Sequence, residues 1–380
     1  MVVPAPRRGR PVSDFAVEGV WAAPGRVNVI GEHTDYNNGF VLPTAIPQTV
    51  RAAVGRRTDG LLRLASTHAG AEPVEFAVAD LAPGVLSGWT AYPAGVVWAL
   101  RAAGHDIGGA DIRIDSDVPV GAGLSSSAAL SCAVALALDD LYELGFDRVE
   151  LARVAQRVEN DFVGIPVGLL DQMASLGCRA GHAYFLDCRD LTGTHVPFDC
   201  AGSGLRLLVI DTRAAHALVD GGYATRRASC EEAARLLGVA SLREITDPDA
   251  ALAALPAGPL RMRVRHVLTE NERVLRVVDA LRVGDVRAIG PELTASHASM
   301  RDDYTISCPE LDTAVDTALA TGALGARLVG GGFGGSAIAL VEADDSAPVA
   351  EAVEKAFAVR GFTAPRFFEA IPSAGARRLS

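Results

Sequence analysis

The sequence predicts a globular protein of the α+β class with two domains. Short β-like segments and helices follow one another without strict alternation, which favours an α+β arrangement over a doubly wound parallel sheet. The chain has 380 residues, which is long for one compact domain and natural for two. Because 49% of the residues are hydrophobic and only 21% are charged, the chain can bury a substantial core.

Glycine, proline and asparagine signals separate the elements that we expect in the first half of the chain. The run of alanine and leucine after residue 125 is strongly helical in character and stops at Gly145. The predicted elements are β-like segments at 26–30, 49–54, 61–65 and 110–114, and helices at 93–103, 125–144 and 149–163, with a fourth helix that begins near Leu170.

The second half begins, in our interpretation, at the glycine- and serine-containing stretch 201–204, just before a buried strand at 205–210. The predicted domains are therefore residues 1–200 and 201–380. The elements expected in the second domain are helices at 224–237, 261–281 and 308–320, a helix or loop at 289–302, a strand from 326 that leads into a glycine-rich turn, and a strand at 337–341.

Composition excludes several classes of function. The formal net charge is −11, and no basic run is long enough to follow a nucleic-acid backbone. No apolar segment approaches the ~20 residues needed to cross a bilayer, and none near the start resembles a signal peptide. The six cysteines show no C-x-x-C pair, which is typical of buried thiols in a reducing compartment, with a structural disulfide as the alternative. The sequence therefore predicts a cytoplasmic protein without nucleic-acid or membrane partners.

A turn rich in glycine and serine, PVGAGLSSSAA at 119–129, is the first motif that indicates a function, and we call it the serine turn. A β-like segment ends before it, and a helix starts among its serines. Amides at a helix N-terminus favour phosphate oxygens, glycines let an anion approach the backbone, and hydroxyls supply further donors or a magnesium ligand. The lysine of a Walker A loop is absent. The turn predicts a site for nucleotide phosphates, and the alternative is a serine-capped helix after a glycine turn.

Hydrogen-bonding side chains crowd into GEHTDYNNG at 31–39, which we call the polar loop and which follows the β-like segment 26–30. A sugar needs such a group, because each of its hydroxyls both donates and accepts hydrogen bonds. The alternative is a polar turn stabilised by its own Asp and Asn side chains. A third motif, GGGFGG at 330–335, is the glycine loop, which indicates close approach to a ligand, with a flexible loop as the alternative.

In this order, the three motifs resemble those of the GHMP family of small-molecule kinases. The segment GEHTDY is similar to the signature of the galactokinases, and RHVLTEN at 265–271 and SCPELD at 307–312 are galactokinase-like as well. The resemblance covers residues 24 to about 341. It implies the two-domain GHMP kinase architecture. An N-terminal ribosomal-protein-S5-like domain would carry the serine turn and the polar loop, and the glycine loop of a C-terminal ferredoxin-like domain would complete the active site.

The same resemblance implies an enzyme that uses ATP and Mg²⁺ to phosphorylate the anomeric hydroxyl of α-D-galactose, the entry step of galactose metabolism. Two alternatives stay open. One is a GHMP kinase for a related sugar such as galactosamine, N-acetylgalactosamine or arabinose, and the other is a sensor that binds ATP and galactose without transferring phosphate. The sequence leaves the oligomeric state open and is compatible with a monomer.

The resemblance also implies a role for each matching position. Asp171 is the expected catalytic base, and Arg26 is expected near both Asp171 and the transferred phosphoryl group. Ser127 and Glu159 match the magnesium ligands of the family, and hard oxygen ligands of this kind suit Mg²⁺. The sugar-binding candidates are Glu32, His33, Thr34, Asp35, Gly168 and Tyr223. The nucleotide-binding candidates are Ser66, Gly121, Ala122, Gly123, Leu124, Ser125, Ser126 and Ser127.

Four places depart from the galactokinase pattern. Val329 stands where many of these enzymes have a threonine, Ser336 where a cysteine is common, and Asn38 where aspartate or another polar residue is frequent. The segment 211–216 also differs from the Asn/Ser-rich segment of several relatives. These departures could adjust sugar preference or nucleotide affinity, but none removes a proposed catalytic group.

Overall fold

The computed structural model describes residues 7–8, 15–68, 72–214 and 219–380. Residues 215 and 216, the end of the divergent segment 211–216, lie outside the described residues. Within these ranges the chain forms fourteen strands and ten α-helices. The strands are β1 (Arg7–Arg8), β2 (Gly19–Asn28), β3 (Phe40–Val41), β4 (Pro43–Arg56), β5 (Leu61–Ser66), β6 (Val74–Ala77), β7 (Ala110–Ser116), β8 (His182–Asp187), β9 (Thr192–Pro197), β10 (Leu205–Asp211), β11 (Gly325–Val329), β12 (Ser336–Glu342), β13 (Arg366–Glu369) and β14 (Arg377–Arg378). The helices are α1 (Ala91–Ala102), α2 (Ser126–Tyr142), α3 (Arg148–Arg157), α4 (Leu170–Gly177), α5 (Val219–Leu237), α6 (Pro248–Ala254), α7 (Pro259–Arg282), α8 (Gly290–Asp302), α9 (Pro309–Ala320) and α10 (Ser346–Arg360).

A seven-stranded sheet with the order β1-β6-β5-β7-β4-β2-β14 forms the framework of the first half. The register of β2 against β4 shifts between Pro24 and Arg26. At the intervening Gly25, a side chain would meet the carbonyl oxygen of Leu124 at 2.8 Å, so glycine allows the strand to approach the serine turn. The backbone N–H of Arg26 donates to the same carbonyl at 3.2 Å. The irregularity therefore brings Arg26 against the serine turn.

Helix α2 lies against β2 and β4, and every residue from 128 to 139 is buried. A helix that is apolar on all sides is typical of a core position, and this one carries the serine turn at its N-terminus. The structure confirms the helix predicted at 125–144. It ends at Tyr142, because Glu143 adopts a left-handed conformation (φ 53°).

A four-stranded antiparallel sheet, β11-β12-β10-β13, separates two hydrophobic cores. Successive residues of β10 point to opposite faces, so Leu207 and Val209 belong to the first core and Leu208 and Ile210 belong to the second. Helices α9 and α10 pack against the second face. The predicted buried strand at 205–210 is confirmed, and its apolar residues 207–210 are buried on both faces of the sheet.

Helix α7 contributes to both cores. Val264 and Val267, near its start, pack in the second core, whereas Val274, Val277 and Leu281 pack in the first. At the other end of the chain, β14 returns to the first sheet and pairs with β2. The domain division at residue 201 stays a prediction, and these two elements link the segments on either side of it.

One predicted helix differs from the observed structure. The pattern at 149–163 predicts a continuous helix, but α3 ends at Arg157 and Val158–Val163 forms a π-helical turn. Gly164, with φ 90°, ends this turn. Because π-helical turns are frequent at functional sites, the position of Glu159 within this one indicates a role beyond packing.

All six cysteines lie among the described residues and none forms a disulfide, so the alternative of a structural disulfide is wrong. Five of the six are buried, as expected of small apolar side chains. Across the described ranges, no helix is both long enough and apolar enough to span a membrane.

Candidate active site

The serine turn, the polar loop and the glycine loop meet at a cleft of about 630 Å³. Its walls also include residues 163–168, the start of α4, and Tyr223 from α5. All predicted site residues except Thr34, Ser66 and Ala122 line this cleft. The fold therefore brings the nucleotide-binding and sugar-binding candidates side by side.

Asp171, at the start of α4, is held by two partners on the wall of the cleft. Arg26 from β2 donates from Nε to Asp171 Oδ1 at 2.8 Å, and its Nη2 lies 2.6 Å from the same oxygen. The Ser125 hydroxyl donates to Oδ2 at 2.5 Å. Arg26 also donates to the carbonyl of Gly123 at 2.7 Å. A strand, a turn and a helix thus fix one carboxylate, whose side chain is still 27% exposed toward a ligand.

The serine turn is not a serine-capped helix, so that alternative is wrong. Ser125 precedes α2 in a left-handed conformation (φ 59°), and its side chain makes no capping hydrogen bond to the helix amides. Its hydroxyl bonds to Asp171 instead. The first amides of α2 therefore stay available for an anionic ligand. A non-glycine residue in this strained conformation is typical of functional sites.

Glu159 is a buried carboxylate that forms no ion pair with any described residue. Its Oε1 accepts from Gln172 at 2.8 Å, and its Oε2 accepts from the Ser127 hydroxyl at 3.2 Å. Burial, followed by the charge of Asp171, raises the pKa of Glu159 to about 7. No group of three or more His, Cys, Asp or Glu side chains among the described residues could hold a metal alone. Ser127 and Glu159 nevertheless fit an Mg²⁺ ion that binds together with phosphates, because such an ion needs few ligands from the protein.

Asp35 and Gly168 form the part of the wall beside Asp171. A side chain at Gly168 would collide with the Asp35 carboxylate, so only glycine lets the two segments approach each other. Burial, followed by the charge of Asp171, raises the pKa of Asp35 to about 6. Because Gly168 has no side chain, its backbone can contact a ligand directly.

Glu32 connects the polar loop to the glycine loop. Its Oε1 accepts from the Gly330 N–H at 2.8 Å and lies 3.1 Å from Arg327 Nη2, while its Oε2 accepts from Asn28 at 3.0 Å. Arg327 is fully buried and also donates to the carbonyl of Val29 at 2.8 Å. Our sequence interpretation missed Arg327, although an arginine inside the apolar strand β11 was an available signal.

A chain of hydrogen bonds determines the protonation of His33. Its Nε2 lies 3.2 Å from the carbonyl of Gly331 and its Nδ1 lies 2.7 Å from the Tyr36 hydroxyl. Because a carbonyl only accepts, Nε2 carries the proton and Tyr36 donates to Nδ1. Tyr36 in turn accepts from Tyr304 at 2.8 Å, and the Cys230 thiol lies 3.1 Å from Tyr304. Burial lowers the pKa of His33 to about 3, so the ring is neutral.

The Tyr36→Phe substitution removes the donor to His33 Nδ1. The ring can then change tautomer and orientation, so we expect the KM for the sugar to rise roughly 3- to 10-fold, the effect of one hydrogen bond. The KM for the nucleotide should stay nearly constant. Steady-state kinetics with each substrate varied checks this, with Tyr142→Phe as a control because its hydroxyl bonds to Gly109, outside the cleft. Equal changes in both KM values would contradict it.

Helix α7 holds the polar loop from behind through the segment 265–271. Glu270 accepts from the Gly31 N–H at 3.0 Å, Asn271 accepts from the Phe40 N–H at 2.8 Å, and His266 Nε2 lies 3.1 Å from the carbonyl of Glu32. The sequence marked this segment as galactokinase-like but assigned no role to it. The structure gives it one: it fixes the ends of the polar loop.

The three predicted site residues outside the cleft have other partners. The Thr34 hydroxyl bonds to carbonyls on both sides of the polar loop. Ser66 accepts from the backbone N–H of residue 68 at the end of β5. The side chain of Ala122 is buried, and its carbonyl accepts from the Ser336 hydroxyl at 2.7 Å. Their predicted contacts with substrate stay predictions. Among the departures, Val329 lines the cleft and Ser336 ties the serine turn to β12.

Three stretches of the chain match models of known families. Residues 91–178 match the GHMP kinases N terminal domain, residues 277–359 match GHMP kinases C terminal, and residues 12–56 match the galactokinase galactose-binding signature. The last of these contains the polar loop.

Full-length relatives agree with these matches. The chain is 62% identical over 365 residues to a galactokinase of Streptomyces coelicolor, covering 95% of this chain and 94% of that one. It is 46% identical over 358 residues to a galactokinase of Mycobacterium tuberculosis, covering 94% and 98%.

Solved structures agree as well. Lactococcus lactis galactokinase complexed with galactose superposes with a TM-score of 0.89 at 34% identity, covering 95% of both chains. The mevalonate kinase of Methanococcus jannaschii, at 17% identity, a TM-score of 0.66 and coverage of 95% and 98%, shares the fold. The protein thus has the GHMP kinase architecture that its motifs predicted, and the chain belongs to the galactokinase family.

Proposed function

We propose that the protein transfers the γ-phosphoryl group of ATP to the anomeric hydroxyl of α-D-galactose and releases galactose 1-phosphate and ADP. The observation that carries this proposal is the position of Asp171. It lies, paired with Arg26, where the serine turn meets the polar loop. Membership of the galactokinase family supports the same assignment. Free thiols and the use of ATP fit a cytoplasmic enzyme.

In this proposal the serine turn binds the ATP phosphates. The uncapped amides of α2 donate to phosphate oxygens, and Gly121 and Gly123, both at positive φ, allow close approach to the backbone. Mg²⁺ bound with the nucleotide would be held by Ser127 and Glu159 and would neutralise charge on the phosphates. Arg26 lies close enough to Asp171 to act on the transferred group as well.

The transfer itself needs a base and an in-line approach. Asp171 takes the proton of the anomeric hydroxyl as that oxygen bonds to the γ-phosphorus, and the bond from phosphorus to the bridging oxygen of ADP breaks. Arg26 and Ser125 hold the two carboxylate oxygens of Asp171, so the base is oriented before substrate binds.

The sugar would lie against the polar loop, with Gly168 contacting it through its backbone. A site that hydrogen-bonds each hydroxyl discriminates epimers, because the wrong epimer leaves a buried partner unpaired. The residues proposed to bind the sugar are Glu32, His33, Asp35, Gly168 and Tyr223.

A panel of sugars tests this function. We expect purified protein with MgATP to use galactose with the highest kcat/KM, ahead of galactosamine, N-acetylgalactosamine and arabinose, and glucose to be lower by about 10²-fold or more. A phosphorus NMR spectrum of the product identifies the anomeric phosphate. If another sugar gives the highest kcat/KM, the GHMP kinase assignment stands and the galactose assignment fails. Binding of galactose and ATP without turnover would indicate the sensor.

A further inference from the structure

Two arginines from different helices converge on one hydroxyl beside the glycine loop. Arg226 of α5 and Arg263 of α7 donate from Nη2 to Thr305 Oγ1 at 2.9 and 2.8 Å. Thr305 is exposed in the connection between α8 and α9, while Arg263 is 94% buried, with 6% of its surface exposed. None of these three residues lines the catalytic cleft. They form a separate cluster, which we call the arginine pair site.

No carboxylate among the described residues forms an ion pair with either arginine. Their other hydrogen-bond acceptors are backbone carbonyls, of Tyr304 and Thr305 for Arg226 and of Asp303 for Arg263. The Asp303 carboxylate pairs with Arg265 at 3.0 Å. The site therefore carries two positive charges without a described counter-charge, in a chain whose net charge is −11.

The burial of Arg226 and Arg263 disfavours the charged form of both guanidinium groups. Desolvation lowers the pKa of Arg226, and desolvation followed by the charge of Arg226 lowers the pKa of Arg263. Donors are also left over, because Arg226 Nη1 and the buried Arg263 Nε have no hydrogen-bond partner among the described residues. A buried guanidinium nitrogen without a partner is costly, so a further acceptor at this site would stabilise it.

We propose that the arginine pair site binds a phosphate dianion, either inorganic phosphate or the phosphate of a monoester. Two guanidinium groups balance the charge of such a dianion, and their planar forks suit its several oxygens. The Thr305 hydroxyl accepts from both arginines, so its own proton is free to donate to the anion. The local positive charge also attracts an anion that the remainder of this acidic protein repels.

The position of the site links it to the glycine loop. The carbonyl of Ile306, next to Thr305, accepts from the Phe333 N–H at 2.6 Å, and the Arg226 guanidinium lies 5.4 Å from the centre of the Phe333 ring. A bound phosphate would therefore order the same residues that hold the glycine loop.

Thermal unfolding of the full chain in phosphate and in chloride, at matched ionic strength, tests the proposal. With the serine turn already occupied by saturating MgADP, we expect millimolar phosphate to raise the Tm of the wild type by a further increment of about 2 °C or more, with saturation. The Arg226→Gln variant should lose this increment. Arg282→Gln, which removes one charge from the far end of α7, should keep it. Glycerol 2-phosphate distinguishes the sources: a larger increment than with inorganic phosphate assigns a monoester, and an equal one assigns free phosphate.

A second pair of variants keeps the test decisive if Arg226→Gln does not fold. The Thr305→Glu substitution places a carboxylate of the protein itself beside the two arginines. Its Tm in chloride should therefore exceed that of Thr305→Gln, and phosphate should no longer raise it. The two side chains have the same size and meet the same backbone conformation (φ 53°). The proposal is overturned if the wild type shows no increment, if Arg226→Gln retains it, or if Thr305→Glu is no more stable than Thr305→Gln.

Discussion

Replacing Asp171 with asparagine is expected to lower kcat for galactose phosphorylation by about 10²- to 10⁴-fold, the range for loss of a general base. The amide has almost the same shape as the carboxylate but cannot accept the hydroxyl proton at neutral pH. Because the polar loop and Gly168 are unchanged, the KM for galactose should stay within a few-fold of the wild-type value. Steady-state kinetics and calorimetric titration of galactose separate the two effects.

The Ser125→Ala substitution should lower kcat less than Asp171→Asn does, because it removes one partner of the base and not the base itself. It removes only the hydroxyl that donates to Oδ2 at 2.5 Å, and Arg26 still holds Oδ1. We expect a loss of about tenfold in kcat, which corresponds to one hydrogen bond to a charged group. Asp161→Asn, at an exposed carboxylate on the π-helical turn, should leave kcat unchanged. If Asp171→Asn retained a tenth of wild-type turnover, Asp171 would not be the base.

Glu159→Gln should raise the stability of the ligand-free protein and weaken the binding of Mg²⁺. Its raised pKa, from 4.5 to about 7, means that the folded protein holds this proton more tightly than the unfolded chain does. Stability therefore falls as pH rises from about 4.5 to 7, and above this window the charged form costs about 3 kcal/mol. Glutamine cannot ionise, so the ligand-free variant should be more stable than the wild type at pH 8 by up to this amount.

The same substitution should weaken Mg²⁺ binding by roughly 10- to 100-fold, because a neutral amide oxygen replaces the buried carboxylate. Urea unfolding at pH 5 and pH 8, with and without MgATP, measures both effects. The stability advantage should shrink at pH 5, and MgATP should stabilise the wild type more than the variant. Asp161→Asn again serves as control. A Glu159→Gln protein less stable than the wild type at pH 8 without ligand would contradict the assignment of an uncompensated buried charge.

Local patterns were sufficient for much of the fold and for most of the cleft. The alanine- and leucine-rich run of α2, the apolar strand β10 and the three motifs all depend on residues close together in the chain. Such patterns predict which elements form and which loops bind ligands. They also identified Asp171 and Glu159 through the resemblance, and the structure brings both to the cleft.

The features that the sequence did not predict depend mostly on contacts between distant parts of the chain. The bond from Gly31 to Glu270 spans 239 positions, and the bond from Gly330 to Glu32 spans 298. Nothing in the local sequence of either partner specifies the other. The π-helical turn was missed for a different reason: its six residues are too few for their periodicity to be distinguished from that of an α-helix. The conformation of Ser125 was missed because a serine before a helix is ordinarily its cap.

The contribution of helix α7 to both hydrophobic cores restricts how chimeras of related galactokinases can be made. Because one end of α7 completes the first core and the other end the second, residues 1–200 taken from one enzyme would meet a foreign helix surface at Val274, Val277 and Leu281. The closing strand β14 adds a second such contact with β2. A chimera that moves the sugar-binding half of one galactokinase onto another therefore needs both α7 and the C-terminal strand from the same parent, or its crossover will divide a core.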